Sequence, residues 1–378
     1  MIAYKFKLYS NASRSKVLPD LMGQFRRLYN YCIGTHQRYY KWYGKYLSCY
    51  DLQKHITKLK KRPYYDWIKK LDAQAVQDVT ERIDKGFRLF FSNKKKHIKA
   101  SAPTFKSQHK YNSFTLKQTG YKLLEGNRIR VFGHIYKYHK SHEIEGKVKT
   151  VTIKRDNLGS LWLVIIADYE RTESVSSTGF AVGFDFGMKT FLVGSDGTTI
   201  DFPLYLKQSM SKVKKLSRNL SHKKKGSNNR QKAKLQLARL YRKVQNQRED
   251  YQWKLARKLV LSYDLICLED LNLKGMSKHF GKQIGDFGLY SFEQKLIYLS
   301  RIYGKRIKYI NRFFPSSKTC SNCGYVNHEL KLSDRSWVCP NCGKHHDRDF
   351  NASVNILREG ASSLGVGEVR PSLEGIRC

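Results

Sequence analysis

The C-terminal part of the chain contains Cys320-Ser321-Asn322-Cys323, fifteen further residues, and then Cys339-Pro340-Asn341-Cys342-Gly343. Two CxxC pairs at this separation have the spacing of a four-cysteine zinc site, which is closed and structural. A glycine follows each pair and lets the turn fold back, so that backbone amides reach the sulfurs. The spacing predicts a zinc ribbon over residues 320–345, with zinc bound by Cys320, Cys323, Cys339 and Cys342. A redox-active cysteine pair is the alternative.

The ribbon runs directly into the segment Lys344-His345-His346-Asp347-Arg348-Asp349-Phe350-Asn351-Ala352. Asp349 opens a predicted helix, where an aspartate can serve simply as the N-cap. The two histidines could replace cysteines as zinc ligands. Because four thiolates suffice, we expect His345 and His346 to face a catalytic site or nucleic acid instead.

Two further acidic residues lie in apolar strand-like segments. Asp185 interrupts the apolar run Phe180–Gly187 and is flanked by Gly183 and Gly187. A buried carboxylate without a partner is costly, so it requires a cation, and the glycines leave room for a cation and a phosphate backbone. Glu269 ends a second buried strand, Leu265–Glu269. Each acid alone also fits an ordinary position at the end of a strand.

The three acids together are more informative than any one of them. A strand and hairpin with an Asp, a later strand ending in a Glu and a helix opening with an Asp form the layout of an RNase H-like nuclease core. Hydrolysis of a phosphodiester by two metal ions about 4 Å apart requires carboxylates from separate elements. We predict that Asp185 bridges two Mg²⁺ or Mn²⁺ ions. Glu269 and Asp349 would each bind one ion or orient the attacking water.

Charge decides the class of partner. The 378 residues include 72 Lys and Arg against 31 Asp and Glu, a net charge of +41. Nucleic-acid phosphate is the usual partner of such a polycation, and a merely basic surface or a peripheral membrane protein is the alternative. The basic residues spread along the whole chain, and no apolar run of about 18 residues occurs, so no membrane partner is expected. Four scattered cysteines fit a reducing cytosol, so we expect a cytoplasmic protein.

The periodicity of apolar residues predicts an α+β protein of several domains. Period-two segments over residues 101–170 indicate an antiparallel β-barrel or sandwich, which strand 2–9 joins across a helical insertion. An α/β nuclease domain with an inserted zinc ribbon follows. The predicted boundaries are 1–10 and 100–173 for the barrel, 11–99 for the helical insertion, 179–319 and 346–358 for the nuclease domain, 320–345 for the ribbon and 359–378 for a disordered tail.

Residues 205–258 hold 18 Lys and Arg and only two acids, Glu249 and Asp250. The segment predicts two long helices joined by a basic turn, and such an excess of one charge favours contact with phosphate over a solvated face. Gln74 and Gln77 share one face of a predicted helix, where they would either meet base edges or be solvated. The candidate nucleic-acid contacts are Gln74, Gln77, Lys223, Lys224, Lys225, Arg239, Arg242 and Lys243.

Three segments resemble the RuvC motifs and zinc ribbon of the TnpB family of transposon-encoded, RNA-guided nucleases. They are Val182–Gly187, Leu268–Leu271 and Cys339–Ser353. Weaker similarity covers Tyr4–Tyr9, Arg26–Asn30 and Pro103–Lys106, so the resemblance spans residues 1–358. It implies a wedge-like β-barrel with a helical recognition insertion, followed by a RuvC domain. It also implies a guide RNA from the transposon end, a target-adjacent motif and cleavage of double-stranded DNA at a single RuvC site.

Two other functions remain open from the sequence. A regulator could use the same scaffold to bind nucleic acid without cutting, although all three acids are present. An unguided resolvase or transposase would use the metal without RNA. Whether one or two copies of the chain bind one guide RNA is also left open.

Overall fold

A computed structural model of the chain describes residues 1–9, 16–173, 175–272, 275, 281, 285–331 and 333–362. These residues form two compact units, Met1–Glu170 and Arg171–Cys378. Within the described ranges, no helix is both long enough and apolar enough to cross a membrane.

The first unit combines one antiparallel sheet with a helical segment inserted after its first strand. Its seven strands pair in the order β2-β6-β7-β1-β5-β4-β3. The elements in chain order are β1 (Ile2–Tyr9), α1 (Val17–Tyr43), α2 (Cys49–Leu59), a 3-10 helix (Pro63–Ile68), α3 (Ala73–Lys95), β2 (Ser113–Leu116), β3 (Tyr121–Leu124), β4 (Arg128–Val131), β5 (His134–His139), β6 (Lys147–Arg155) and β7 (Leu161–Asp168).

The N-terminal strand lies in the middle of this sheet. β1 pairs with β5 on one side and with β7 on the other, and its side chains alternate between buried and exposed. One continuous sheet is therefore present instead of a two-sheet sandwich. Among the described residues, the edge strands β2 and β3 are not joined by hydrogen bonds, so the predicted barrel is not closed by a complete ring of strand pairs.

The inserted helices share the core of the sheet. Phe25 of α1 stacks on Phe114 of β2 with ring centroids 5.1 Å apart. Asp72 is the N-cap of α3, and its side chain accepts hydrogen bonds from Ala75 N and from the hydroxyl of Thr119 beyond β2. Aromatic packing and this cap bind the insertion to the sheet, which explains why a segment between two strands folds as part of one unit.

The second unit contains a five-stranded sheet in the order β10-β9-β8-β11-β12, and a two-stranded sheet formed by β13 and β14. β8, β11 and β12 are parallel, whereas β9 runs antiparallel to β8. The elements in chain order are β8 (Ala181–Asp185), β9 (Leu192–Gly194), β10 (Thr199–Ile200), α4 (Tyr205–Gln208), α5 (Met210–Ser221), α6 (Asn228–Ser262), β11 (Leu265–Glu269), α7 (Leu289–Ile302), β12 (Arg306–Ile310), β13 (Ser336–Val338), β14 (His345–Asp347) and α8 (Arg348–Ser362).

The two faces of the five-stranded sheet pack against different helices. Val182, Phe184 and Leu268 belong to a buried cluster with residues of α6 and α7. Ala181 and Cys267, at odd-numbered positions of the same strands, belong to a cluster with residues of α8. Since side chains of a strand alternate between faces, the remaining odd-numbered positions of β8 and β11 also lie on the α8 face.

The C-terminal helix is longer than the sequence predicts. α8 continues to Ser362, so residues 359–362 are helical and do not belong to a disordered tail. Gly360 lies within this helix against Cys267, where an added Cβ would be 2.4 Å from the sulfur. The glycine therefore packs inside the helix instead of ending it. Residues 363–378 of the predicted tail lie outside the described residues.

Asp264, between α6 and β11, joins three parts of the second unit. Its carboxylate accepts hydrogen bonds from Thr178 N at 3.1 Å, from Gly179 N at 2.6 Å and from the ammonium of Lys305. Lys305 is 5% exposed. Burial alone would raise the pKa of Asp264, but the hydrogen bonds from Lys305, Ser177 and the two amides hold it well below its usual range.

We expect Asp264→Ala to lower the free energy of unfolding by about 3 kcal/mol, because it leaves the Lys305 ammonium buried without its partner. The pKa of Asp264 is depressed in the folded state, so its contribution is present above about pH 4 and is lost as the pH falls further. Urea unfolding of the unaltered protein and of Asp264→Ala at pH 7 and pH 3 measures the difference in the free energy of unfolding. Asp250→Ala, which removes an exposed pair with Lys254, is the control. Equal unfolding midpoints for all three proteins at pH 7 would contradict the prediction.

Candidate metal centres

Two of the predicted acids lie at the same edge of the five-stranded sheet. Asp185 is the last residue of β8 and Glu269 the last residue of β11. The two strands are parallel neighbours, and Leu268 pairs with Phe184, so both chains leave the sheet at adjacent positions. Both acids also occupy odd-numbered positions, which places their carboxylates on the α8 face.

Close packing of α8 on β8 brings the third acid to this edge. A Cβ added at Gly183 would lie 2.3 Å from Ser353 O and 2.5 Å from Leu357 N. Only glycine therefore allows this approach of helix and strand. Asp349 is in the first turn of α8, and its charge acts on Asp185 at the end of β8.

The glycines beside Asp185 have a different role from the predicted one. Gly183 makes room for the backbone of α8. Gly187 makes room for the carbonyl oxygen of Thr190, which would lie 2.4 Å from an added Cβ. The expectation that these glycines leave space for a cation and phosphate is wrong, because helix and hairpin backbone occupy that space.

The three carboxylates interact electrostatically. Burial, followed by the negative charges of Glu269 and Asp349, raises the pKa of Asp185 to about 7, while Arg348 opposes the shift. Burial also raises the pKa of Glu269. The site therefore holds more negative charge than its surroundings stabilise, and a divalent cation is the usual way to offset such a cluster.

Neighbouring groups hold two of the carboxylates in place. The hydroxyl of Ser316 donates a hydrogen bond to Glu269. Asp349 forms ion pairs with Arg348 at 3.3 Å and Arg335 at 3.5 Å. Ser316 lies in the loop before the ribbon and Arg335 lies in the ribbon, so only the fold brings them to the acids, whereas Arg348 directly precedes Asp349 in the sequence. The three carboxylates are hard oxygen donors, the ligand type that Mg²⁺ and Mn²⁺ prefer. Their oxygen atoms do not all lie within 4.8 Å of one another in this structure.

The four ribbon cysteines form a compact cluster. Within the described residues, they are the one group of three or more potential ligands that could hold a common metal ion, and their sulfurs lie within 4.8 Å of one another. The Cys320 and Cys342 sulfurs are 3.7 Å apart, and those of Cys323 and Cys339 are 3.6 Å apart. Tetrahedral zinc with Zn–S bonds of about 2.3 Å requires about 3.8 Å between sulfurs. The cluster fits a structural zinc ion.

The two cysteine pairs adopt the same turn. Gly324 N donates to Cys320 O at 2.9 Å, and Gly343 N donates to Cys339 O at the same distance. Both glycines have φ between 68° and 78°, a conformation that favours glycine. The predicted return of backbone amides to the sulfurs is confirmed, because the amides of Tyr325 and Lys344 donate to the second sulfur of each pair.

Hydrogen bonds also favour the thiolate form needed for zinc. The Asn341 side chain lies 3.5 Å from the Cys323 sulfur, and this bond together with the Tyr325 amide lowers the pKa of Cys323 to about 6. Asn322 makes the equivalent 3.5 Å contact with Cys342. In contrast, burial raises the pKa of Cys320 to about 11. A cation is therefore required for all four sulfurs to be thiolates together.

The two histidines of the ribbon occupy different environments. His345 is exposed. His346 is buried, with its ring 4.9 Å from that of Trp337 and its Nε2 3.0 Å from the Cys320 sulfur. The expectation that His346 faces a catalytic site or nucleic acid is therefore wrong. Alternation along β14 turns this side chain into the small core of the ribbon, where it supports a zinc ligand.

The loop before the ribbon connects the cysteine cluster to the carboxylates. Asn351 of α8 donates to Thr319 O at 2.7 Å and accepts from Ser321 N at 2.9 Å. Asn355, one turn further, donates to Ser316 O at 2.8 Å and to Thr319 O at 2.6 Å. Ser316 in turn holds Glu269. The first cysteine turn, the Glu269 carboxylate and the helix of Asp349 are thus parts of one hydrogen-bonded network.

The predicted nucleic-acid contacts fall into two groups. In the second unit, Lys224, Lys225, Arg239 and Lys243 are exposed on α6 and the turn before it, whereas Lys223 and Arg242 are half-buried. Arg230, which the sequence analysis did not single out, holds that turn by donating to Leu220 O and Lys223 O. These residues form an exposed basic hairpin.

Gln74 and Gln77 lie in the first unit and differ from each other. The Gln74 carboxamide oxygen accepts from Gln118 N at 2.6 Å and from Thr119 N at 3.1 Å. Contact between Gln74 and a base would require these bonds to break. Gln77 is exposed and lines a cavity of about 900 Å³ together with Tyr46 and Gln53.

Two family models match the chain. The OrfB_IS605 family, described as "Probable transposase", matches residues 164–279. The "Cas12f1-like, TNB domain" family matches residues 290–356, which include the cysteine cluster and Asp349.

Full-length relatives also match. A "Putative RNA-guided DNA endonuclease" of Streptomyces pristinaespiralis is 29% identical over 99% of this chain and 93% of its own length. The "Putative RNA-guided DNA endonuclease InsQ" of Escherichia coli (strain K12) is 26% identical over 97% of this chain and 94% of its own length.

Two solved structures share the fold. A Cas12f1–sgRNA–target DNA complex contains a chain with TM-score 0.58 and 16% identity, covering 92% of this chain and 83% of that one. The mini-RNA-guided endonuclease CRISPR-Cas_phi3 aligns with TM-score 0.52 and 10% identity over 95% of this chain and 92% of that one. With the family models and the full-length relatives, these matches confirm the resemblance to the TnpB family of transposon-encoded nucleases.

Proposed function

We propose that the protein is a transposon-encoded, RNA-guided DNA endonuclease whose second unit is an RNase H-like (RuvC) nuclease domain. The observation that carries the proposal is the meeting of Asp185, Glu269 and Asp349 at one edge of the sheet, where Glu269 and Asp349 both raise the pKa of Asp185. The strand order supports it: β8, its antiparallel neighbour β9 and the parallel strands β11 and β12 are arranged as in an RNase H-like core.

The three carboxylates would hold two Mg²⁺ or Mn²⁺ ions, with Asp185 shared between them. When bound, such ions stabilise charge on the phosphate and lower the pKa of the attacking water. The protein supplies the positions of the ligands. Ser316 orients Glu269 by donating to it, and the packing of α8 at Gly183 sets the distance of Asp349 from the strands.

The relatives and the charge of the chain support the substrate and the guide of this proposal. The full-length relatives are named RNA-guided DNA endonucleases, and the Cas12f1 chain was solved with RNA and target DNA. A net charge of +41 and the exposed basic hairpin of α5 and α6 suit the phosphates of such a complex. We propose that the guide comes from the transposon end and that the protein reads a short motif beside the double-stranded target.

RNase treatment tests the guided reaction against an unguided one. The protein is purified with its RNA, and one half is treated with RNase before Mg²⁺ and matched plasmid are added. The proposal expects cutting only in the untreated half, and restored cutting when synthetic guide RNA is returned. Equal cutting in both halves would instead favour an unguided nuclease.

The hydroxyl of Ser316 provides a finer test of the metal site. We expect Ser316→Ala to reduce cutting by about tenfold and to raise the Mg²⁺ concentration needed for half-maximal activity, because Glu269 loses a charge-assisted hydrogen bond. Zinc content and thermal stability should stay unchanged. Ser317→Ala, one residue away, is the control. An unaltered Mg²⁺ dependence of Ser316→Ala would show that Ser316 does not position a metal ligand.

A further inference from the structure

The last turn of α1 presents an unusual cluster of exposed aromatic rings. Tyr40, Trp42 and Tyr43 are 65%, 70% and 61% exposed. Tyr39 packs partly on the core of the first unit, and its ring is 4.7 Å from that of Tyr43. We call Tyr39, Tyr40, Trp42 and Tyr43 the aromatic turn. Large rings at such exposure on a helix end are a sign of an interaction surface.

The charged residues that neighbour the aromatic turn in the sequence are all basic. Arg38, Lys41 and Lys45 are exposed and interleave with the rings, and no acidic residue occurs between His36 and Tyr50. Asp84 is engaged by Tyr46, whose hydroxyl donates to it, and by Arg88. A partner of this surface must therefore offer negative charge together with flat apolar faces.

We propose that the aromatic turn binds unpaired nucleotides, whose bases stack on the rings while their phosphates meet the interleaved cations. Base stacking on aromatic side chains combined with basic groups is how proteins bind single strands without reading sequence.

Two other partners fit less well. Inside a duplex, base faces are stacked on each other and only the two end pairs have a free face, so an unpaired strand offers many more faces to Trp42 or Tyr43. A symmetric contact between two copies would bring Arg38, Lys41 and Lys45 of one chain against those of the other without acids between them, and such like-charge contacts are unfavourable. The proposal deepens the proposed function by naming a contact for unpaired RNA or DNA, and its test needs no guided cutting.

The test uses the full chain stripped of RNA and labelled 12-nucleotide oligouridylate, oligothymidylate and a DNA duplex, in salt high enough to weaken contacts made through phosphate alone. Anisotropy gives the affinities. We expect the double variant Trp42→Ala/Tyr43→Ala to bind either single strand about tenfold more weakly, with duplex binding little changed. The double variant Trp42→Phe/Tyr43→Phe should keep the affinity, because phenylalanine still stacks.

Tyr290→Ala removes a ring of similar exposure, 66%, from the second unit and is the matched control. Halogenated uridine in the oligonucleotide should crosslink to the peptide that contains Trp42. Tighter binding of oligouridylate would assign the unpaired nucleotides to RNA, and tighter binding of oligothymidylate would assign them to DNA. Equal affinities of the alanine variant and the unaltered protein, or a loss confined to self-association measured by sedimentation, would overturn the proposal. Because no guide or cutting is involved, these results stand apart from the test of nuclease activity.

Discussion

Replacing Asp185 with asparagine is expected to abolish DNA cutting, with a loss of about 10³-fold or more, equivalent to about 4 kcal/mol. The substitution keeps the shape of the side chain but removes the charge at the end of β8 where the proposed metal ions would be shared. Binding of RNA should persist, because the basic hairpin is untouched. A plasmid cleavage assay together with RNA co-purification measures both properties.

The same variant should be at least as stable as the unaltered protein without Mg²⁺. Burial, Glu269 and Asp349 raise the pKa of Asp185 to about 7, so the ionised form is disfavoured in the fold. A raised folded-state pKa means that stability is lost as the pH rises from about 4 through 7, and asparagine removes that loss. Thermal unfolding at pH 8 in buffer free of Mg²⁺ and Mn²⁺, without a chelator that would remove the zinc, tests this, with the exposed Asp201→Asn as control. Retained cutting would refute the assignment of Asp185 to the catalytic site, whereas a large drop in stability would show a structural role for Asp185.

Loss of zinc is expected to have the second large effect. We predict that Cys320→Ser lowers zinc content, exposes residues 320–346 to protease and reduces cutting by more than about tenfold. Zinc binding supplies folding free energy to small sites of this kind. The reason for the effect on cutting is the network through Asn351 and Asn355, which joins the first cysteine turn to the helix that carries Asp349.

Cys49→Ser provides the matched control, because Cys49 lies in the first unit and outside the cluster. It should retain zinc and activity. Adding back Zn²⁺ after mild chelation should restore both properties in the unaltered protein. If Cys320→Ser keeps its full zinc content and its resistance to protease, the four-cysteine zinc site is wrong.

Much of the architecture can be predicted from short stretches of the sequence. Strand β1, the buried strands that end in Asp185 and Glu269, and the cysteine spacing all follow from patterns of a few residues. These patterns succeed because alternation and ligand spacing are properties of neighbouring residues. The zinc cluster could therefore be predicted with all four of its ligands.

Other features depend on contacts between distant segments, and sequence reasoning misses them. In the sequence, Gly183 suggests a space left for a cation and phosphate beside Asp185, whereas in the structure the backbone of α8 fills that space. His346 resembles an active-site residue in the sequence but packs on Trp337. Ser316 and Asn355 belong to no short sequence pattern that predicts their contacts. The polar residues that follow Asp349 at helical spacing, which are buried in the structure, could have indicated a helix face that forms hydrogen bonds.

The most direct test of RNA-guided cutting is to sequence the RNA that co-purifies when the protein is expressed with its flanking DNA. The same preparation is then given Mg²⁺ and plasmids that carry the complement of that RNA beside randomised sequence. The account predicts one defined RNA with a constant scaffold and a variable end, and cutting of matched plasmids that share an adjacent motif. Heterogeneous RNA with cutting independent of the match, or defined RNA with no cutting at any Mg²⁺ or Mn²⁺ concentration, would contradict it.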